Sequence, residues 1–140
     1  MKKLRRNIVL MLGLWLGSIS VQAGTVVVVN ASNTAEISTS DIRNIFLAKT
    51  KTFSNGDPVI PVNKPIDDSV RSLFEQNILN KSAAQLKSYW SKLVFTGKAV
   101  PPRESETDED VLKAIRKDPR AIGYIDEANL DETVRVAISF

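Results

Sequence analysis

Apolar and polar positions along this chain switch repeatedly between a period of two and a period of 3.6. Thr25-Val26-Val27-Val28-Val29 is an unbroken β-branched run closed by Asn30-Ala31-Ser32-Asn33, which predicts a strand buried on both faces and ended by a turn. Ser38-Thr39-Ser40-Asp41 has the spacing of a capping box and predicts a helix with Ile42, Ile45, Phe46 and Leu47 as its apolar positions. The turn Asn55-Gly56-Asp57-Pro58 leads into a short strand, Val59-Ile60-Pro61-Val62. Pro61 has no backbone donor, so this strand is expected at an edge or interrupted. Val70, Leu73, Phe74, Asn77 and Ile78 then recur at helical spacing after the acidic start Asp67-Asp68-Ser69, which complements the helix dipole.

A second capping box, Ser82-Ala83-Ala84-Gln85, precedes the stripe Leu86, Tyr89, Trp90, Leu93 and Val94, and that helix is expected to stop before Gly97. Thr107-Asp108-Glu109-Asp110 opens another helix with Val111, Leu112 and Ile115 on its apolar face and Pro119 beyond its end. Ala121 to Ile125 and Thr133 to Ile138 read as strands, with Gly123 marking a close backbone approach. Four strands and four helices in this order predict an α/β domain with a mixed sheet flanked by helices. Its core is expected to include Val27, Ile45, Phe46, Leu73, Phe74, Leu86, Trp90, Leu93, Leu112, Ile115, Ile122 and Tyr124.

Residues 1–23 stand apart from this pattern. A cationic start with Lys2, Lys3, Arg5 and Arg6, a short apolar stretch from Ile8 to Leu16, and small residues at Val21-Gln22-Ala23 have the anatomy of a cleavable secretory signal peptide. The stretch is shorter than the roughly 20 residues a membrane span needs. Residues 24–140 are therefore expected as one domain, exported to the periplasm or secreted. Four of the 19 Lys and Arg and none of the 16 Asp and Glu lie in residues 1–23. The remaining 15 cations and 16 carboxylates give residues 24–140 a net charge of −1, so the composition offers no reason to expect nucleic acid or an anionic membrane as partner.

The absence of Cys and His removes Ser-His-Asp and Cys-His nucleophilic machinery, thiolate or imidazole metal sites and disulfides. The acidic run from Glu104 to Asp110 lacks the Asp-x-Asp-x-Asp-Gly pattern of a calcium loop and reads as the solvated start of a helix. Carboxylates are scattered over helix starts and loops rather than paired, so no enzyme and no cofactor is expected.

Several features in their order resemble a known family: Val26 to Asn33 followed by Ile45-Phe46-Leu47, Asn55-Gly56, Pro61-Val62-Asn63, Arg71 and Phe74, Tyr89-Trp90, Phe95 and Gly97, then Pro119 with Ala121-Ile122-Gly123-Tyr124. Together they look like the substrate-binding component of phosphate ABC transporters. The resemblance implies a periplasmic-binding-protein-like fold, of which this chain matches a single stand-alone lobe with its two hinge strands. It also implies a solute-binding role toward phosphate or a related oxyanion, in connection with phosphate uptake or sensing. The alternative is a non-transport envelope module that uses the same lobe to contact a sensor or transporter partner.

In the family a Ser-Gly-Thr stretch before an Arg supplies anion donors. Here Asp68-Ser69-Val70 stands in its place, so both hydroxyls of the pattern are missing and Ser69 offers one in a shifted register. The ligand candidates are Ser32, Asn33, Lys64, Ser69 and Arg71, with Lys64 expected at the same end of the sheet as Ser32 and Asn33. The alternatives are an ordinary turn for Ser32 and Asn33, an N-cap role for Asp68 or Ser69, and plain solvation for Lys64 and Arg71. Arg120 replaces the Gly common in the family after Pro119, which costs about 1 kcal/mol if that turn needs a positive φ, unless the turn differs here. The open face of a lone lobe is expected to bind an oxyanion weakly and to meet an envelope partner or a second copy.

Overall fold

The computed structural model describes residues 24–140, so the signal peptide expected over 1–23 lies outside the described residues. Five strands form one mixed sheet: β1 (Thr25–Asn30), β2 (Ile60–Asn63), β3 (Arg103–Glu104), β4 (Ala121–Asp126) and β5 (Val134–Ser139). Their spatial order is β3-β2-β4-β1-β5. β1 is antiparallel to both of its neighbours, β4 and β5, whereas β2 runs parallel to β4 and to β3.

The four helices are α1 (Thr39–Phe46), α2 (Ser69–Phe74, continued by a π-helical stretch Glu75–Leu79), α3 (Ala83–Phe95) and α4 (Asp108–Lys117). They cover both faces of the sheet. Val27, Val29, Ile122 and Tyr124 pack with residues of α1, α2 and α3, while Val26, Val28, Ala121 and Ile125 pack with Val111, Leu112 and Ile115 of α4. Alternate residues of β1 thus enter different cores, which is why its valines run without interruption.

The caps form where the sequence places them. Ser38 accepts from the Asp41 N–H at 3.1 Å while the Asp41 carboxylate accepts from the Ser38 N–H at 2.8 Å, and Ser82 and Gln85 repeat the exchange at 3.2 and 2.9 Å. Thr107 accepts from the Asp110 N–H at 3.1 Å. α3 ends at Phe95, and Gly97 follows with φ +68°, the left-handed conformation that favours glycine. β2 meets β3 only from Val62 onward, so Pro61 lies where β2 is locally an edge, as a residue without a donor requires. A Cβ on Gly123 would come within 2.7 Å of Val111 Cγ1, which explains a glycine in the middle of β4.

Two expectations are corrected. Leu73 is 44% exposed rather than core, because the buried face of α2 carries Phe74 and then continues through the widened turn to Ile78 and Leu79. Trp90 and Leu93 are half-buried, since α3 puts only Leu86 fully inside. At Arg120 the second of the two readings holds: it is not among the residues with positive φ, so its turn carries no such strain, and its guanidinium closes on Asp118 at 2.8 Å. The fifth strand, β3, was not foreseen because its two residues have no periodicity to detect.

Candidate functional site

The strand directions separate the candidate residues into two groups. β4 runs antiparallel to β1, with Thr25 opposite Asp126 and Val29 opposite Ile122, yet parallel to β2, with Ile60 opposite Ala121. The turn after β1, with Ser32 and Asn33, therefore lies beside the starts of β2 and β4. Lys64, Ser69 and Arg71 follow the end of β2, at the opposite end of the sheet. The expectation that Lys64 shares an end with Ser32 and Asn33 is corrected on this ground.

At the first end the polar atoms close local turns. Asn30 Oδ1 accepts from the Ser32 N–H at 2.9 Å and its hydroxyl at 2.7 Å, and Asn33 Oδ1 accepts from the Ala35 N–H at 2.9 Å. With Pro58 and Arg120 they border a shallow hollow of about 260 Å³.

The second end is more densely connected. Lys64 is 3% exposed, and its ammonium lies 3.2 Å from Asp68 Oδ2 and also donates to Asp108 Oδ1. Asp68 caps α2, its Oδ1 accepting from the backbone N–H groups of Val70 at 2.8 Å and Arg71 at 3.3 Å. Arg71 donates from Nε to Glu75 at 2.7 Å, and from Nη1 to the Lys64 carbonyl at 2.7 Å and to Glu104 at 2.9 Å. Asp108 Oδ2 accepts from the Asp126 N–H at 3.1 Å and from Asn129 Nδ2 at 2.8 Å. The buried Tyr124 hydroxyl donates to Asn63 Oδ1 and accepts from the Lys64 N–H at 3.3 Å.

Two cations thus meet four carboxylates where β2, β3, α2, α4 and β4 converge. Burial opposes the charge on the Arg71 guanidinium, but hydrogen bonds to Glu75 and Glu104 more than offset this and hold its pKa above the ordinary value. Burial pushes the Tyr124 hydroxyl well up, so it stays a neutral donor at any physiological pH. Among the described residues no group of three or more acidic side chains is arranged to hold a metal ion.

Lys64 and Arg71 are therefore not solvated helix and loop residues; both are engaged from within. Ser69 is exposed beside them. The arrangement already binds one oxyanion: the Asp68 carboxylate takes two backbone N–H groups and an ammonium, the donor types a phosphate or sulfate would use. An apolar groove of about 350 Å³ adjoins Arg71, lined by Ile66, Trp90, Val94, Pro101 and Pro102.

Sequence reading missed Asn63, Glu75, Glu104, Asp108 and Tyr124 as members of this cluster. The i, i+4 spacings Lys64/Asp68 and Arg71/Glu75 were the available signals. Nothing local marks Asp108, which is 44 residues from Lys64.

No family model matches the sequence, and no curated protein does. Solved structures match at the level of the fold. A Clostridium perfringens structure bearing the name of a phosphate ABC transporter substrate-binding protein, with bound phosphate, superposes with a TM-score of 0.64 at 19% identity, covering 81% of this chain and 44% of its own. An ABC-type phosphate transport receptor from Vibrio cholerae gives 0.64 at 14% identity over 81% and 45%. PstS from Borrelia burgdorferi gives 0.59 at 11% identity over 81% and 47%. The chain spans less than half the length of each of these structures, and it has the α/β fold of one lobe of such binding proteins.

Proposed function

We propose that this chain is a periplasmic solute-binding-like module rather than an enzyme, and that it takes phosphate or a related oxyanion weakly, at the end of β2 where Lys64, Ser69 and Arg71 gather. The observation that carries the reading is the Asp68 carboxylate held by the Val70 and Arg71 N–H groups and by Lys64. On a fold shared with phosphate-binding proteins, that donor set is engaged with an oxyanion of the protein's own. Function follows from the site and not from the fold alone, which is why this set matters more than the superposition.

The same geometry argues for weak binding. A phosphate dianion must either displace Asp68 or sit beside it, near Glu75, Glu104 and Asp108, and one lobe surrounds only part of the ligand. Ser32 and Asn33, at the far end of the sheet, would contact a different ion and not share this one. Calorimetric titration of residues 24–140 with phosphate, sulfate and molybdate tests the reading. Millimolar phosphate binding that is weakened by Arg71→Ala supports it. Sub-micromolar binding indifferent to Arg71→Ala, or none with any of the three anions, overturns it.

A further inference from the structure

The net charge of −1 over residues 24–140 conceals an uneven distribution. Residues 76–103 hold Lys81, Lys87, Lys92, Lys98 and Arg103 and no Asp or Glu, and residues 42–56 hold Arg43, Lys49 and Lys51 and again no acid. The fold brings these two stretches together. Val94, Gly97, Ala99 and Val100, at and beyond the end of α3, line a hollow of about 310 Å³ with Ala48 and Lys51 from the loop after α1. Lys51 lines it, Lys49 and Lys98 are chain neighbours of its lining residues, and all three are exposed, as is Lys92 on the last turns of α3.

The same corner carries exposed apolar side chains. Phe95 is 93% exposed, Val100 77% and Val94 50%. Single exposed apolar residues are ordinary, but three within seven positions, one of them an aromatic ring almost wholly in water, form a patch that calls for a covering surface. α3 stops at Phe95 and the chain turns at Gly97, so the patch sits at and just beyond the end of a helix, with Val94 and Val100 bordering the hollow and Phe95 almost wholly in water.

We infer that this corner docks on the surface of an anionic lipid bilayer, with Phe95, Val94 and Val100 in the headgroup region and the surrounding lysines on the lipid phosphates. Interfacial attachment combines an aromatic and aliphatic tip with a ring of cations in this way, and needs no spanning segment. Among the described residues no helix is long and apolar enough to cross a membrane. A second copy fits less well. A two-fold axis through the corner would set Lys92 and Lys98 against their own counterparts, with no carboxylate in either stretch to meet them. The inference is independent of the oxyanion reading, because the corner uses neither Lys64, Ser69 nor Arg71.

Sedimentation of residues 24–140 with vesicles of phosphatidylcholine plus phosphatidylglycerol, against phosphatidylcholine alone, tests it. Binding is expected to the anionic vesicles and to fall as salt is raised. Lys92→Gln and Lys98→Gln should each weaken partition about fivefold, and together roughly 30-fold. Phe95→Ser should weaken it roughly tenfold. Inorganic phosphate at matched ionic strength should change nothing. All three side chains are exposed, and circular dichroism checks that the variants fold. Absence of binding to anionic vesicles, equal binding to both vesicle types, or binding indifferent to these substitutions overturns the inference. Release specific to inorganic phosphate does the same, since it would place the lipid at the oxyanion site.

Discussion

Replacing Lys64 by methionine tests whether the cluster at the end of β2 is a buried network that the fold depends on. The side chain of Lys64 is 4% exposed and its carboxylate partners Asp68 and Asp108 are 23% and 11% exposed. Removing one partner of a buried ion pair costs about 3–5 kcal/mol when the remaining charge is left alone. Here neither carboxylate is left alone. Asp68 keeps the N–H groups of Val70 and Arg71, Asp108 keeps the Asp126 N–H and Asn129 Nδ2, and methionine preserves most of the apolar stem. The expected loss is therefore about 2–3 kcal/mol.

Asp108→Asn alone should cost less, about 1–2 kcal/mol, because Lys64 retains Asp68. The double variant should be less destabilised than the sum of the two by at least about 1 kcal/mol. Urea unfolding of residues 24–140, followed by fluorescence of Trp90, the one tryptophan in that stretch, measures all three variants. A Lys64→Met protein within about 0.5 kcal/mol of the parent, or strictly additive variants, would refute the reasoning.

Phe74→Ala removes the centre of an aromatic group, stacked on Tyr124 at 4.0 Å and edge-on to Phe46 at 4.7 Å, and should cost about 3–5 kcal/mol in the same unfolding assay. Gly123→Ala should cost about 1–3 kcal/mol, because the new methyl would meet Val111 Cγ1 at 2.7 Å. Ser38→Ala should lose about 1 kcal/mol by uncapping α1. It should also flatten part of the acid dependence of stability. Hydrogen bonds from the Ser38 hydroxyl and N–H hold the Asp41 carboxyl below the usual carboxylate range, so its contribution is full above that range and is lost as pH falls through the lowered value. Because Asp41 is largely solvated, the effect is small and is best read as the difference between parent and variant in stability against pH.

The elements were legible wherever side-chain period and cap chemistry agree. Ser38, Ser82 and Thr107 each announce a helix start by their own hydrogen-bonding capacity, and β1 declares its double burial through consecutive valines. Leu73 fits a regular 3.6 period yet faces outward, because the buried face runs from Phe74 to Ile78 and Leu79 through the π turn Glu75–Leu79, which a regular period does not describe. Trp90 misled because helical spacing marks a face but not how deeply that face is buried, and the end of α3 stands clear of the core. The candidate site was legible only in its members near in sequence. Lys64, Ser69 and Arg71 lie within eight positions, whereas Tyr124 joins them through the parallel pairing of β2 with β4, and Asp108 through the start of α4 meeting the Asp126 N–H at the end of β4, neither of which a local pattern encodes. That pairing also sends Ser32 and Asn33 to the far end.

On the proposed function, the donors at the end of β2 form an oxyanion site in which Asp68 stands as the resident anion. Amide chemical shifts of Val70 and Arg71, followed by NMR as phosphate is added to the parent protein and to Asp68→Asn, test it most directly. Saturable shifts with a millimolar midpoint are expected at these two amides in the parent. In the variant, which keeps a capping side chain but loses the competing charge, affinity should rise by at least about tenfold. Unchanged or weakened phosphate affinity in Asp68→Asn, or shifts confined to the Ser32–Asn33 turn, would contradict it.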